Sequence, residues 1–375
     1  MHPESPDSAS PNPAPPRPED PSLEPFGWST FFAGQLTATD GLPGRVASSN
    51  HGRFLVWTEA GEIDAGVSGA LRKSGSLWPA VGDWVLLRPD GPVIDRVLNR
   101  KTKLSRKQPE REVREQVLAA NIDVLFIVSG LDRDYNPRRI ERFLVMANES
   151  GARPVVLLNK SDLAAALSLD LDAIVAGTRQ LSPGITVIPI SALSATSFSG
   201  HGLDAIPAQL APGQTAALIG SSGVGKSTIL NRLLGDERQA TTAVRASDQR
   251  GRHTTTTRQL FVMPGGWLLM DLPGLREIQL WANPTEPTDN LEASFEDIQA
   301  LAANCRFRDC THTAEPGCAV LAAHLDSARL ANYQKMQKEL AHLERKTNPK
   351  LAREAKSKAT APDRPVRHHP KRDSS

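Results

Sequence analysis

The chain has 375 residues, 39% of them hydrophobic and 23% charged, with a formal net charge of +2, a composition able to bury two or three soluble cores. No apolar run approaches the ~18 residues that a spanning helix needs, and the start lacks the apolar stretch of a secretory signal, so no membrane partner is expected and a cytoplasmic location is. The charge is uneven: residues 1–25 hold five acids and one base, while residues 345–375 hold ten bases and three acids.

Nine prolines among the first 25 residues, with few apolar ones, predict a disordered tail over residues 1–35. Residues 36–105 then switch to short β-rich runs, "GRFLVWT", "DWVLL" and "PVIDRVL", separated by turns containing glycine. This pattern predicts a small OB-like β-barrel, an architecture that serves nucleic-acid binding or plain spacing. The basic run "RKTKLSRK", residues 100–107, falls where the barrel meets the next domain and reads as either a functional cluster or a solvated linker.

Residues 106–284 alternate strands and helices. "IDVLFIVS" reads as a buried strand and "NPRRIERFLVMANESG" as a helix capped by Asn136, with Pro137 in its first turn and Gly151 at its exit. Its inward stripe is Ile140, Phe143, Leu144 and Ala147. "RPVVLLNK", a helix, "ITVIPI", a short helix and "TAALIG" follow, predicting a mostly parallel sheet with helices on both faces.

Asn159, Lys160, Ser161 and Asp162 close the second of these strands as N-K-S-D, in which the aspartate can accept two N–H groups from the guanine edge. Ser191 and Ala192 can add a backbone amide for the guanine carbonyl. Gly220, Ser221, Ser222, Gly223, Val224, Gly225, Lys226, Ser227 and Thr228 satisfy G-x-x-x-x-G-K-[ST] between an apolar strand and an apolar-spaced helix. The glycines let backbone amides face phosphates, Lys226 neutralises β/γ charge, and Ser227 ligates magnesium. Downstream, Asp271 and Gly274 form D-x-x-G at the end of "WLLMDLPG", the acid serving magnesium through water and the glycine amide sensing the γ-phosphate. The segment "GRHTTTT", residues 251–257 between the phosphate loop and D-x-x-G, offers Thr255 as the favoured second magnesium ligand, with Thr254 and Thr256 left open. Leu275 stands where many GTPases carry the glutamine that orients water, so His253 is the nearest polar candidate for that role.

The base reader therefore precedes the phosphate loop, the reverse of the usual order. A parallel sheet binds its ligand at the carboxyl ends of its strands, so permuting the chain preserves the pocket. In residues 285–345, Cys305, Cys310, His312 and Cys318 form C-x4-C-x-H-x5-C, suited to one structural, four-coordinate zinc; His324 and His342 are weaker rivals. Leu330, Tyr333, Met336, Leu340 and Leu343 then share one face of a helix, and residues 346–375 form a basic tail expected to be disordered.

"NKSD", "GSSGVGKST", "GRHTTT", "DLPG" and "CRFRDCTHTAEPGCAV", in that order over about residues 36–340, resemble the ribosome small subunit-dependent GTPase A family. That resemblance implies a circularly permuted GTPase with an N-terminal OB domain and a C-terminal helical zinc domain. It further implies a factor in late maturation of the 30S subunit that contacts 16S rRNA and hydrolyses GTP to GDP when bound to the subunit; the protein itself is expected to be a monomer. A nucleotide-gated rRNA-binding scaffold with incidental turnover is the alternative; a P-loop kinase is a third reading, which predicts adenine preference. The leucine of "DLPG" departs from the serine or threonine expected there, and neither tail lies within the resemblance.

Overall fold

The computed structural model describes residues 22–37, 40–73, 77–107, 115–132, 134–193, 202–235, 258–272 and 289–347. Strands β1 (Leu42–Asn50), β2 (Arg53–Thr58), β3 (Gly61–Val67), β4 (Trp84–Leu87) and β5 (Val93–Val97) run in the order β1-β2-β3-β5-β4. Strand β4 returns to pair with β1, so the barrel closes and leaves no free edge within it. Strand β3 alternates, with Ala65 and Val67 buried and Glu62 and Asp64 exposed, whereas β1, "LPGRVASSN", is rich in glycine and polar residues and carries no clear alternation; pairing with β2 and β4 places it, not propensity.

The predicted disordered tail is corrected at its C-terminal end. Helix α1 (Thr30–Ala33) and the turn before it bury Leu23, Phe26 and Phe32 against the barrel. Phe26 lies 4.9 Å from Trp57, and Trp28 lies 4.7 Å from Trp84, ring centre to ring centre. Phe26 and Phe32, fully buried within "EPFGWSTFF", and partly buried Trp28 offer enough apolar surface to outweigh the ordering cost that proline-rich composition suggested, at about 1.5–3 kcal/mol per buried ring.

The basic run is part of the structure. Arg100 is buried against fully buried Asp83, with an N–O distance of 2.7 Å. Its second half forms β6 (Lys103–Lys107), paired antiparallel with β7 (Glu115–Ala120). Helix α2 (Gly69–Lys73) lies in the barrel.

Beyond the barrel come β8 (Val124–Gly130), α3 (Pro137–Ser150), β9 (Arg153–Asn159), α4 (Leu171–Arg179), β10 (Thr186–Pro189), β11 (Thr215–Gly220), α5 (Lys226–Leu234), β12 (Arg258–Val262) and β13 (Leu268–Asp271). Strands β10-β9-β8-β11-β13 are parallel neighbours, and β12 adds antiparallel to β13. Because β1 bulges between Val46 and Ser48, its first half pairs with β4 and its second half, Ser48 and Ser49, pairs with β12. Barrel and parallel sheet are thus one continuous eleven-stranded sheet. Buried Arg45 fastens the joint, donating to the carbonyls of Phe26 and Asn121 and, at 2.7 Å, to Thr215 Oγ1.

Helix α3 follows its sequence signals: Asn136 accepts from the Arg138 and Arg139 amides, Gly151 ends it with φ 78°, and Ile140, Phe143, Leu144 and Ala147 are buried. Its polar side also carries a buried group, Glu141, which receives Arg329 of the C-terminal helix. That C-terminal part comprises α6 (Asp289–Ser294), α7 (Glu296–Ala302), α8 (Ala319–Ala322) and α9 (Ser327–Thr347). Tyr333, Met336, Leu340 and Leu343 face inward along α9. Among the described residues no helix is long and apolar enough to cross a membrane.

Candidate functional site

All five parallel strands deliver their carboxyl ends to one edge of the sheet. The register aligns Gly130 with Asn159 and Val128 with Gly220, so the loops after β8, β9 and β11 emerge side by side. The N-K-S-D tetrapeptide, Ser191, Ala192, the phosphate loop and Asp271 therefore converge despite their separation along the chain.

Asn159 makes the convergence specific. Its side chain is buried, donating to the Val224 carbonyl at 2.7 Å and accepting from the Ala192 amide at 3.0 Å. One amide group thus fastens the phosphate loop, the strand end after β9 and the loop after β10. Lys160 takes a left-handed backbone with φ 66° and donates to Gly223 O at 3.0 Å and to Asp132 Oδ2 at 2.5 Å. The Ser161 amide donates to Ile190 O, and Ser191 Oγ donates to Asp162 Oδ1 at 2.6 Å, which aims the carboxylate beside Ala192.

The phosphate loop wraps the start of α5. Gly225 has φ 101°, and a Cβ there would stand 2.3 Å from Asn159 Nδ2; Gly220 has φ 151°, with a Cβ 2.3 Å from Val128 O. Both positions demand glycine for sterics as well as torsion. Lys226 Nζ donates to Gly220 O at 2.8 Å and Ser221 O at 2.6 Å, so the ammonium is folded over the loop it serves. Burial pulls Lys226 below the usual lysine value, opposed by Asp271 and then Asp134. Burial pushes the Asp271 carboxyl up to about 6, and Lys226 opposes it. Ser227 and Thr228 sit in the first turn of α5, with Ser227 exposed. Gly274, His253 and Thr255, with Thr254 and Thr256, lie outside the described residues.

Sequence reasoning missed Asp132 and Glu315. Asp132 follows β8 at the same sheet edge, where a polar residue after a buried strand was the available signal; the Lys160 ammonium holds its carboxyl below the usual range. Glu315 accepts from the amides of Thr311 at 2.7 Å, Thr313 at 2.9 Å and Ala314 at 3.0 Å, shaping the turn that holds the cysteine-histidine cluster. The Thr311 hydroxyl first, then the Thr311 and Thr313 amides, hold that carboxyl far below the ordinary carboxylate range.

The donor atoms of Cys305, Cys310, His312 and Cys318 all lie within 4.8 Å of one another. Cys305 Sγ and Cys318 Sγ are 3.6 and 3.5 Å from His312 Nδ1 and 3.9 Å apart. Tetrahedral bonds of about 2.0–2.3 Å imply donor–donor edges of about 3.3–3.8 Å, so the cluster could hold one metal ion with little movement. Burial, with the neighbouring Cys318 and Cys305 acting in the same direction, pushes the Cys310 thiol up to about 12; three adjacent thiolates need a cation among them. His324 and His342 are not in the cluster.

Comparison with known proteins agrees with this geometry. The family described as RsgA GTPase matches residues 97–281, and that described as 50S ribosome-binding GTPase matches residues 215–352, beginning at β11 and leaving the N-K-S-D strand upstream. The protein named small ribosomal subunit biogenesis GTPase RsgA from Opitutus terrae is 43% identical over 354 residues, covering 88% of this chain and 93% of its own. Its namesake from Xanthomonas axonopodis pv. citri is 40% identical, covering 92% and 94%. The crystal structure of YjeQ from Thermotoga maritima superposes with a TM-score of 0.57 at 28% identity, over 80% of this chain and 98% of that one. That of YloQ, described as a circularly permuted GTPase, shares the fold with a TM-score of 0.53 at 24% identity, over 80% and 94%. With relatives so alike over nearly their whole length, the chain belongs to the RsgA family of small ribosomal subunit biogenesis GTPases.

Proposed function

We propose that this protein hydrolyses GTP during biogenesis of the small ribosomal subunit, with the subunit stimulating turnover and nucleotide state governing binding and release. The observation that carries the reading is the pair of hydrogen bonds made by the Asn159 side chain, which holds the phosphate loop and the loop after β10 against the N-K-S-D strand end. A single purine nucleotide can then lie with its base at Asp162 and Ala192 and its phosphates at Gly220–Thr228. The Asp162 carboxylate accepts two N–H groups that guanine presents and adenine does not. Ser227 and Thr255 would hold magnesium, with Asp271 acting through water; the ion neutralises phosphate charge. Gly274 senses the γ-phosphate, and His253 orients the attacking water.

Three thiolates and one imidazole select zinc, and four protein ligands leave it a structural role. The 30S subunit and its 16S rRNA are the partners, approached by a monomer in the cytoplasm, where reduced thiols persist. The test is GTP and ATP turnover measured with and without purified 30S subunits. A many-fold rise with GTP alone is expected; equal use of ATP, or indifference to the subunit, would overturn the reading.

A further inference from the structure

Helix α3 opens beside the phosphate loop, and its third residue reaches into it. Arg139 Nη1 donates to Ser221 Oγ at 2.6 Å and to Asp134 Oδ1 at 2.5 Å. Ser221 is the second residue of the loop, and its carbonyl is one of the two that Lys226 grips. Asp134 precedes the helix and is close enough to Lys226 to act on its ammonium. An acid so near the place where polyphosphate binds would repel it if left without a partner. The arginine side chain is 37% exposed and the acid 26%, too open for a structural ion pair to contribute much stability. Its position is therefore better explained by the charge at the loop than by the fold.

We propose that Arg139 is a positioning residue of the phosphate loop: it neutralises Asp134 and holds the Ser221 turn, so that the loop presents its amides and Lys226 to an incoming nucleotide. Neither residue belongs to the phosphate-loop or guanine motifs. The proposal rests on the GTP-binding reading above and adds a site on another helix to it.

The experiment uses the full chain with magnesium-GTP and magnesium-GDP, comparing wild type, R139A, R139K, D134N and the double variant R139A/D134N. Affinity is read by displacement of a fluorescent guanine nucleotide, and turnover gives KM and kcat separately. Losing one cation beside a largely covered acid should raise KM for GTP and Kd for GDP by about tenfold at low salt, with kcat within about twofold. Lysine at position 139 should keep most of the affinity, and D134N in the R139A background should restore most of it. Unchanged affinity in R139A, or a loss that neither R139K nor D134N relieves, would overturn the proposal. A wild-type protein that fails to bind GTP would overturn the nucleotide reading as well, and that is seen before any variant is compared.

Discussion

Glu141 allows the docking of the C-terminal part to be tested with a stated magnitude. Its side chain is 1% exposed; Oε1 accepts from Arg329 Nη1 at 2.6 Å and from Arg138, and Oε2 accepts from Asn332 Nδ2 at 2.6 Å. Burial pushes the carboxyl above its ordinary value, and Asn332, Arg329 and Arg138 pull it back. Removing one partner of a buried pair costs about 3–5 kcal/mol, because the other charge stays buried. Arg329 retains Asp297 at 2.7 Å and lies 4.7 Å from the centre of the Phe295 ring, so the lower end, about 3 kcal/mol, is expected for Glu141→Ala. The exposed Arg53–Asp64 pair, with side chains 56% and 64% accessible, supplies the control: Arg53→Ala should cost under about 1 kcal/mol. Urea unfolding followed by circular dichroism gives both values, and hydrogen exchange should show the extra opening in α9 and α3. If Glu141→Ala and Arg53→Ala proved equally mild, burial of the charge would not be what holds α9 to α3.

Gly225→Ala places a methyl 2.3 Å from Asn159 Nδ2 at φ 101°, so nucleotide affinity should fall at least about a hundredfold by titration while the far-ultraviolet spectrum is kept. Asp271 has a folded-state value near 6 against an ordinary 3.8. The folded protein thus binds the proton more tightly, and this contribution is complete below about pH 4 and lost as pH rises through 6. The rise from 3.8 to about 6 corresponds to about 3 kcal/mol, and Asp271→Asn should flatten the pH dependence of nucleotide-free unfolding over that window. Chelation should release one zinc per chain by metal analysis and expose the amides around α8, whose first turn is capped by Cys318 Sγ. Cys318→Ser should reproduce that exposure without chelator; a protected α8 after metal loss would argue against a structural ion.

Local signals decided a good deal. Asn136, Pro137 and Gly151 bracket α3 because a cap, a first-turn proline and a left-handed exit act within a few residues of one another. The phosphate loop and the cysteine-histidine cluster were legible for the same reason, since their ligands come from one short stretch each. The sequence offers the N-K-S-D strand end as an expected base reader, but its contact with a loop more than 60 residues later depends on Gly130 pairing with Asn159 and Val128 with Gly220, a register that chain order does not reveal. Burial of Glu141 on the polar side of α3 likewise awaits a helix that arrives 188 residues later. Arg45 becomes a rivet only when Thr215, 170 residues on, is brought to it. Short-range chemistry thus named the parts of this GTPase, whereas long-range sheet pairing and burial of charge chose which parts meet, because those energies exist only once distant segments exclude water together.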